Sequence, residues 1–214
     1  MNARRYIQTR FLVLRLTPYA DTSLVVAGLS PEQGQLHFMV RGARRLGPHQ
    51  FPVLDLFRLL QVSYRDTESE LHRLASADLA ADYGGLAQSY PAYQAAGWLA
   101  GFTLANAVAG VAHEALFAAL CVGFGRLAQA ALAGEATAAA ADAVIVGVGL
   151  TYLQEAGWLA EHASDTASDR QCRCLLEMAA GAPPPRLTPG NWQELRHWVV
   201  LQARDAGCQI PGEG

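Results

Sequence analysis

Near Asp78 the sequence changes its period, and that change limits what the chain can fold into. Before it, apolar residues come in short runs separated by turn residues. Leu36, Phe38 and Val40 alternate with Gln35, His37, Met39 and Arg41, the period of two of a half-buried strand. Similar runs span Arg10–Leu16, Ser23–Ala27, Leu54–Arg65 and Leu71–Ala77, with turn material at Thr17–Asp21 and a tight reversal at Ser30–Gly34. Five short strands in this segment predict a small closed or nearly closed antiparallel barrel.

Beyond Asp78 alanine dominates and the spacing lengthens to that of helices. The pattern predicts helices over 92–109, 113–132 and 138–156, the last stopped by Gly157. A shorter helix follows Ala163-Ser164-Asp165 and must end before Pro183-Pro184-Pro185. The final helix starts at Gly190 or Asn191 and carries Trp192, Leu195, Trp198 and Val199 as an apolar stripe. Gly97 and Gly101, four apart, are expected to let a neighbouring helix approach, and the last residues from Ile210 are expected to fray. The expected fold is α+β: a five-stranded barrel over 1–80, then an α-helical bundle domain over 81–214.

Charge follows the same division. All sixteen basic residues among the 214 are Arg, and the net charge of −3 conceals +6 over residues 1–65 (nine Arg, three acids) and −9 over the rest (seven Arg, sixteen acids). Near-neutral net charge therefore excludes a uniformly basic protein and not a polyanion partner. With 51% hydrophobic and 16% charged residues, the chain has the composition of a folded protein and not of a disordered one. Ala95–Ala112 is long enough for a membrane helix. It contains Thr103, Asn106 and many weakly partitioning Ala and Gly, and the next apolar stretches carry Arg126 and Asp142. A soluble bundle without membrane insertion is expected. The N-terminus has no apolar signal segment, and Cys121, Cys172, Cys174 and Cys208 do not form a staple pattern, so free thiols and a cytoplasmic location are expected.

Enzyme motifs fail on inspection. His113-Glu114 begins a metalloprotease signature, but Phe117 stands where the second ligand belongs. Gly123-Phe124-Gly125 with Ala128 matches a dinucleotide fingerprint, yet no strand precedes it, so it is read as close helix packing. Cys172, Cys174 and Cys208, with His162 or His197, lack the spacing of a zinc knuckle. No catalytic residue, metal or cofactor is expected. What stands out is Arg41-Gly42-Ala43-Arg44-Arg45 at the exit of the third strand, with Arg10, Arg15, Arg58 and Arg65 able to join across the sheet. Phosphates are the natural partner of such a surface. Phe38, Tyr19, Tyr64 and His49 are either stacking surfaces for bases or barrel core, with core the favoured reading.

Several stretches carry a family likeness. Val13-Leu14-Arg15-Leu16-Thr17-Pro18-Tyr19-Ala20-Asp21-Thr22-Ser23-Leu24-Val25-Val26 resembles the opening strand pair of the RecO family of bacterial recombination mediators. Glu32-Gln33-Gly34-Gln35-Leu36 and Val40-Arg41-Gly42-Ala43-Arg44-Arg45 are similar to its next conserved-looking stretch, and Leu153–Leu159 resembles a helical segment more loosely. The resemblance covers about residues 7–160. It implies an OB-fold followed by a helical domain, binding of single- and double-stranded DNA, strand annealing, and assistance to RecA on SSB-coated DNA. A RecR-like protein and the SSB C-terminal tail would be partners. Carried over by residue, Arg41, Arg44 and Arg45, then Arg10 and Arg15, fall on the DNA-binding barrel surface. The chain departs from the pattern in a shorter, less basic loop after Arg45 and in having only Cys172-Arg173-Cys174 where many members carry a four-cysteine zinc site. The helical domain is thus expected to be truncated or to lack the zinc segment. A protein-interaction scaffold of the same fold, with weak or no DNA binding, is the alternative expectation.

Overall fold

A computed structural model describes residues 6–43, 51–65, 69–159 and 167–212. Strands β1 (Tyr6–Tyr19), β2 (Ser23–Ser30), β3 (Gly34–Val40), β4 (Arg58–Arg65) and β5 (Leu71–Asp82) close into a barrel in the order β1-β2-β3-β5-β4. The β3–β5 pairing, His37 opposite Leu71 and Phe38 opposite His72, is parallel, and the other pairings are antiparallel. This is the expected OB-fold. Alternation puts Phe11, Val13, Val26, Leu36, Phe38, Val40, Leu60, Val62, Tyr64 and Leu74 inside. The rings of Phe11, Phe38 and Tyr64 meet edge to face, with centroids 4.9 and 5.2 Å apart, a favourable quadrupole arrangement. Register shifts between Val13 and Arg15, and twice along β4–β5, supply the bends that closure requires.

Strand bounds differ from the sequence pattern in several places: β1 starts at Tyr6 and takes in Thr17–Tyr19, expected as turn but paired with Val25, Leu24 and Ser23 of β2, and β2 runs on to Ser30. The fourth strand begins at Arg58 and not at Leu54, because Leu54 N–H turns back to the Phe51 carbonyl (3.3 Å) and Phe57 adopts φ +57°. The fifth runs five residues past Ala77, to Asp82. Its Ala-rich end has weak strand propensity but is paired throughout with β4, as far as Arg58 opposite Asp82.

The chain divides into two compact units. Residues 1–84 form the barrel unit together with a separate stretch, 107–114; residues 85–106 and 115–214 form the helical unit. The returning stretch works as a strap. Ala109 bridges Gly34, Gly110 N–H donates to the Gln33 carbonyl (2.8 Å), and His113 N–H donates to that of Pro31 (2.8 Å). Within it, Val108 N–H donates to His113 Nε2 (3.3 Å). Gly34 has φ +65°, and a Cβ there would run into the carbonyl oxygens of Val108 and Val111, so only glycine fits beneath the strap.

The helical unit contains α1 (Tyr90–Asn106), α2 (Glu114–Leu132), α3 (Ala138–Glu155), α4 (Ala167–Ala179) and α5 (Pro189–Asp205), after a short 3₁₀ turn at Gly84–Gln88. Thr137 caps α3 and Thr188 caps α5, each accepting from the backbone N–H three residues on. Helix α3 is buried almost throughout from Ala141 to Leu153. Gly123 is the packing glycine of the false fingerprint: a Cβ there would lie 2.5 Å from Val144 Cγ1. The pair Gly97 and Gly101 does not receive a helix. Gly97 faces open space, and Gly101 meets Pro211. Just before the C-terminal residues Asn106 holds Gln209, its Oδ1 accepting from Gln209 N–H (2.8 Å) and its Nδ2 donating to the Gln209 carbonyl (2.9 Å).

The apolar stretch Ala95–Ala112 is not one helix, since α1 ends at Asn106 and the chain then enters the strap. Among the described residues, one helix is long and apolar enough to cross a membrane: α2, with mean hydropathy 1.6. Half of it is buried inside the protein through residues such as Leu116, Phe117, Leu120 and Phe124.

Candidate nucleic-acid interface

Arg41 is exposed one residue beyond β3, and Gly42 after it has φ +73°, a turn conformation that suits glycine. Arg44, Arg45 and His49 lie outside the described residues. Arg10 and Arg15 are exposed on the outer face of β1, Arg10 opposite Gln61 of β4 and Arg15 opposite Ala27 of β2. Arg58 does not join the cluster. Its Nε donates to Asp82 Oδ2 (3.0 Å) and its Nη1 to the Val53 carbonyl (3.2 Å), so its charge is met within the protein.

Arg65 belongs to a grouping that the linear sequence hides. It stands directly opposite Arg73 on β5 and opposite Tyr6 on β1, all three exposed. Like charges directly opposite each other in a sheet repel, and no carboxylate among the described residues pairs with either. The parallel β3–β5 register connects this pair to Arg41. One step beyond Phe38–His72 come the outward residues Met39 and Arg73, and Arg41 follows two residues later. Arg41, Arg73 and Arg65 therefore occupy neighbouring strands at one end of the barrel. Arg73 escaped sequence reasoning because it sits alone in a weak strand, and only the non-local parallel pairing brings it alongside the Arg41 motif.

The aromatic candidates separate clearly. Phe38 and Tyr64 belong to the core, whereas Tyr19 is 57% exposed and Tyr6, not a sequence candidate, is 59% exposed. Glu32 of the second motif has a structural task. Its Oε2 accepts from Thr9 Oγ1 (2.5 Å) and Ser30 Oγ (3.4 Å), tying β1 to the β2–β3 turn.

Two arginines and one glutamate of the helical unit are met internally. Arg126 donates to the carbonyls of Met178 (2.8 Å) and Ala182 (2.6 Å), and Arg196 Nη1 pairs with buried Asp142 (2.8 Å). Glu155 accepts from Ala115 N–H (3.1 Å) and Leu116 N–H (3.4 Å) at the start of α2. A cavity of about 320 Å³ opens between α2, α3 and α4, lined by apolar residues such as Val122, Leu127, Val144 and Met178, with Arg126 its one charged lining residue. Cys172 and Cys208 are half-buried free thiols. Burial pushes the Cys172 thiol up, with Asp169 adding to it. Burial, then the neighbouring Cys208, pushes the Tyr152 hydroxyl up to about 12. Among the described residues no three His, Cys, Asp or Glu side chains converge as a metal site; His162 lies outside them.

Residues 1–83 match the family described as Recombination protein O N terminal, a span that ends one residue after β5. Over that span the barrel is similar to the RecO N-terminal domain. No curated protein matches the chain. The RecO family is one of recombination-repair mediators, and both barrel motifs fall inside the matched span. Within the matched span the Arg41 motif begins at the exit of β3, and the Glu32 motif is the hydrogen-bonded turn that precedes it.

Proposed function

We propose that this protein belongs to the RecO family as a whole and is a DNA-binding recombination mediator, which acts by exchanging binding partners and makes or breaks no bond. Single- and double-stranded DNA would run over the barrel end on Arg41, Arg73 and Arg65, with Arg44, Arg45, Arg10 and Arg15 extending the track. The observation that carries this reading is the row Arg41–Arg73–Arg65, exposed on adjacent strands without a carboxylate partner among the described residues. A phosphate backbone relieves the repulsion of that row and releases counterions on binding. The test is the salt dependence of single-stranded DNA binding. An Arg41/Arg65/Arg73→Ala variant should bind more weakly, with a log–log salt slope shallower by about 2. Identical slopes would overturn the placement.

The helical unit would recruit proteins: a RecR-like partner and the SSB C-terminal tail, so that RecA is helped onto SSB-coated strands. The apolar cavity between α2, α3 and α4 supports a tail site, since a segment ending in apolar side chains needs an apolar pocket to receive them. The same cavity favours the second reading, an interaction scaffold with little DNA affinity. Peptide binding that persists in a protein showing no salt-dependent DNA binding would establish that reading instead.

A further inference from the structure

The two exposed tyrosines of the barrel strands, Tyr6 and Tyr19, stand at opposite ends of β1. Strand pairing joins them by a path around the outside. Tyr6 is opposite Arg65 on β4, and Arg65 is opposite Arg73 on β5. Arg73 comes beside Met39 of β3, two residues short of Arg41. Leu24 of β2 is opposite Val40, so one step further Ser23 comes beside Arg41, and Ser23 is opposite Tyr19. The row thus crosses β4, β5, β3 and β2 and returns to β1 at its last residue.

Alternation turns this row outward. The neighbouring residues Tyr64, Leu74 and Val40 lie in the core and Ile7 packs against it, whereas Tyr6, Tyr19, Arg41, Arg65 and Arg73 are exposed. Among the described residues neither tyrosine meets another ring and neither hydroxyl is hydrogen-bonded. Single exposed apolar side chains are ordinary, but both of these fall on the row that carries the arginines without carboxylate partners. Five strand spacings of about 4.8 Å make the row roughly 24 Å long. At the 3.4 Å rise of a stacked strand that is about seven nucleotides, and fewer for an extended one, which is within the site size of a single OB-fold.

We propose that one unpaired DNA strand crosses the barrel from Tyr6 to Tyr19, with a base stacked on each ring and phosphates on the arginines between, an inference that rests on the DNA-binding reading above. The arginines meet the phosphates of single and double strands alike. The rings take only a base released from its duplex, where its faces are already stacked on neighbours. A duplex is also too stiff to follow so curved a row, whereas a single strand bends around it. Tyr6 and Tyr19 therefore set a preference for single strands.

The test measures binding of the full-length protein to one mixed-sequence oligonucleotide, alone and annealed to its complement, at one salt concentration. Tyr6→Ala and Tyr19→Ala should each weaken single-strand binding about tenfold and leave duplex binding and the salt slope unchanged. Tyr6→Phe and Tyr19→Phe keep the ring and should bind as the unaltered protein does. Alanine variants that lose nothing, or that lose single and double strands equally, would overturn the stacking while leaving the phosphate row standing. A loss at only one of the two tyrosines would overturn the path around the barrel. Failure of the unaltered protein to bind either form would remove the DNA reading and this inference together.

Discussion

The end of the barrel and the helix packing of the second unit use arginine in opposite ways. In the helical unit Arg126 and Arg196 are turned inward onto carbonyls and onto Asp142, and their charge holds helices together. In the barrel Arg41, Arg65 and Arg73 are exposed at one end, and two of them face each other across a pair of strands. An arginine count cannot separate these uses; the separation comes from whether a partner lies within the chain. The cores differ too. The barrel is filled by interlocked rings and branched side chains, while α3 is packed through alanine and glycine against its neighbours.

The contrast can be tested unit by unit, because all four Trp (98, 158, 192 and 198) lie in the helical unit. The largest effect is expected at Gly34. Gly34→Ala forces a Cβ into two strap carbonyls at positive φ and should cost about 3 kcal/mol or more. Its loss should show in the strand signal of circular dichroism while the Trp fluorescence midpoint moves less; equal movement of both would make the units one cooperative body. Arg196→Ala should come next, at about 2 kcal/mol, below the cost of breaking a fully buried pair because Arg196 itself is half exposed. Arg41→Ala should change stability by no more than about 0.5 kcal/mol. Urea titrations in which the two arginine variants lose equal stability would dissolve the distinction between holding and binding arginines.

Smaller effects follow. Gly97 faces open space in α1, so Gly97→Ala should stabilise the helical unit by about 0.5–1 kcal/mol, raising its Trp-detected midpoint. The smallest is alkaline. Tyr152 is raised from 10 to about 12, so its neutral form is favoured in the folded state. The stability it contributes is complete below pH 10 and is lost as pH rises toward 12. Tyr152→Phe should flatten the helical unit's stability over that window, and an unchanged slope would assign the loss to another group.

Much of this was legible in the sequence. Period two located the barrel strands, and the Ala-rich spacing located all five helices, with Gly157 ending α3 at φ +76° as a stop should. Local pattern also identified Gly123 as a packing position. What it could not supply is pairing between distant segments. The strand character of Ala75–Asp82 depends on β4, the parallel neighbour of β3 brings Arg73 to Arg41, and Arg58 is removed from the surface set by an acid 24 residues away. The site was therefore half visible: Arg41 by motif, and Arg73 and Tyr6 only by topology.

The strap has a consequence for where this domain can be cut. Residues 107–114 lie beyond α1 in the sequence, so a fragment ending with β5 carries a barrel without its last piece. In such a fragment the carbonyls of Pro31 and Gln33 lose the N–H donors of His113 and Gly110. The smallest excised piece that keeps every backbone bond of the barrel therefore reaches residue 114.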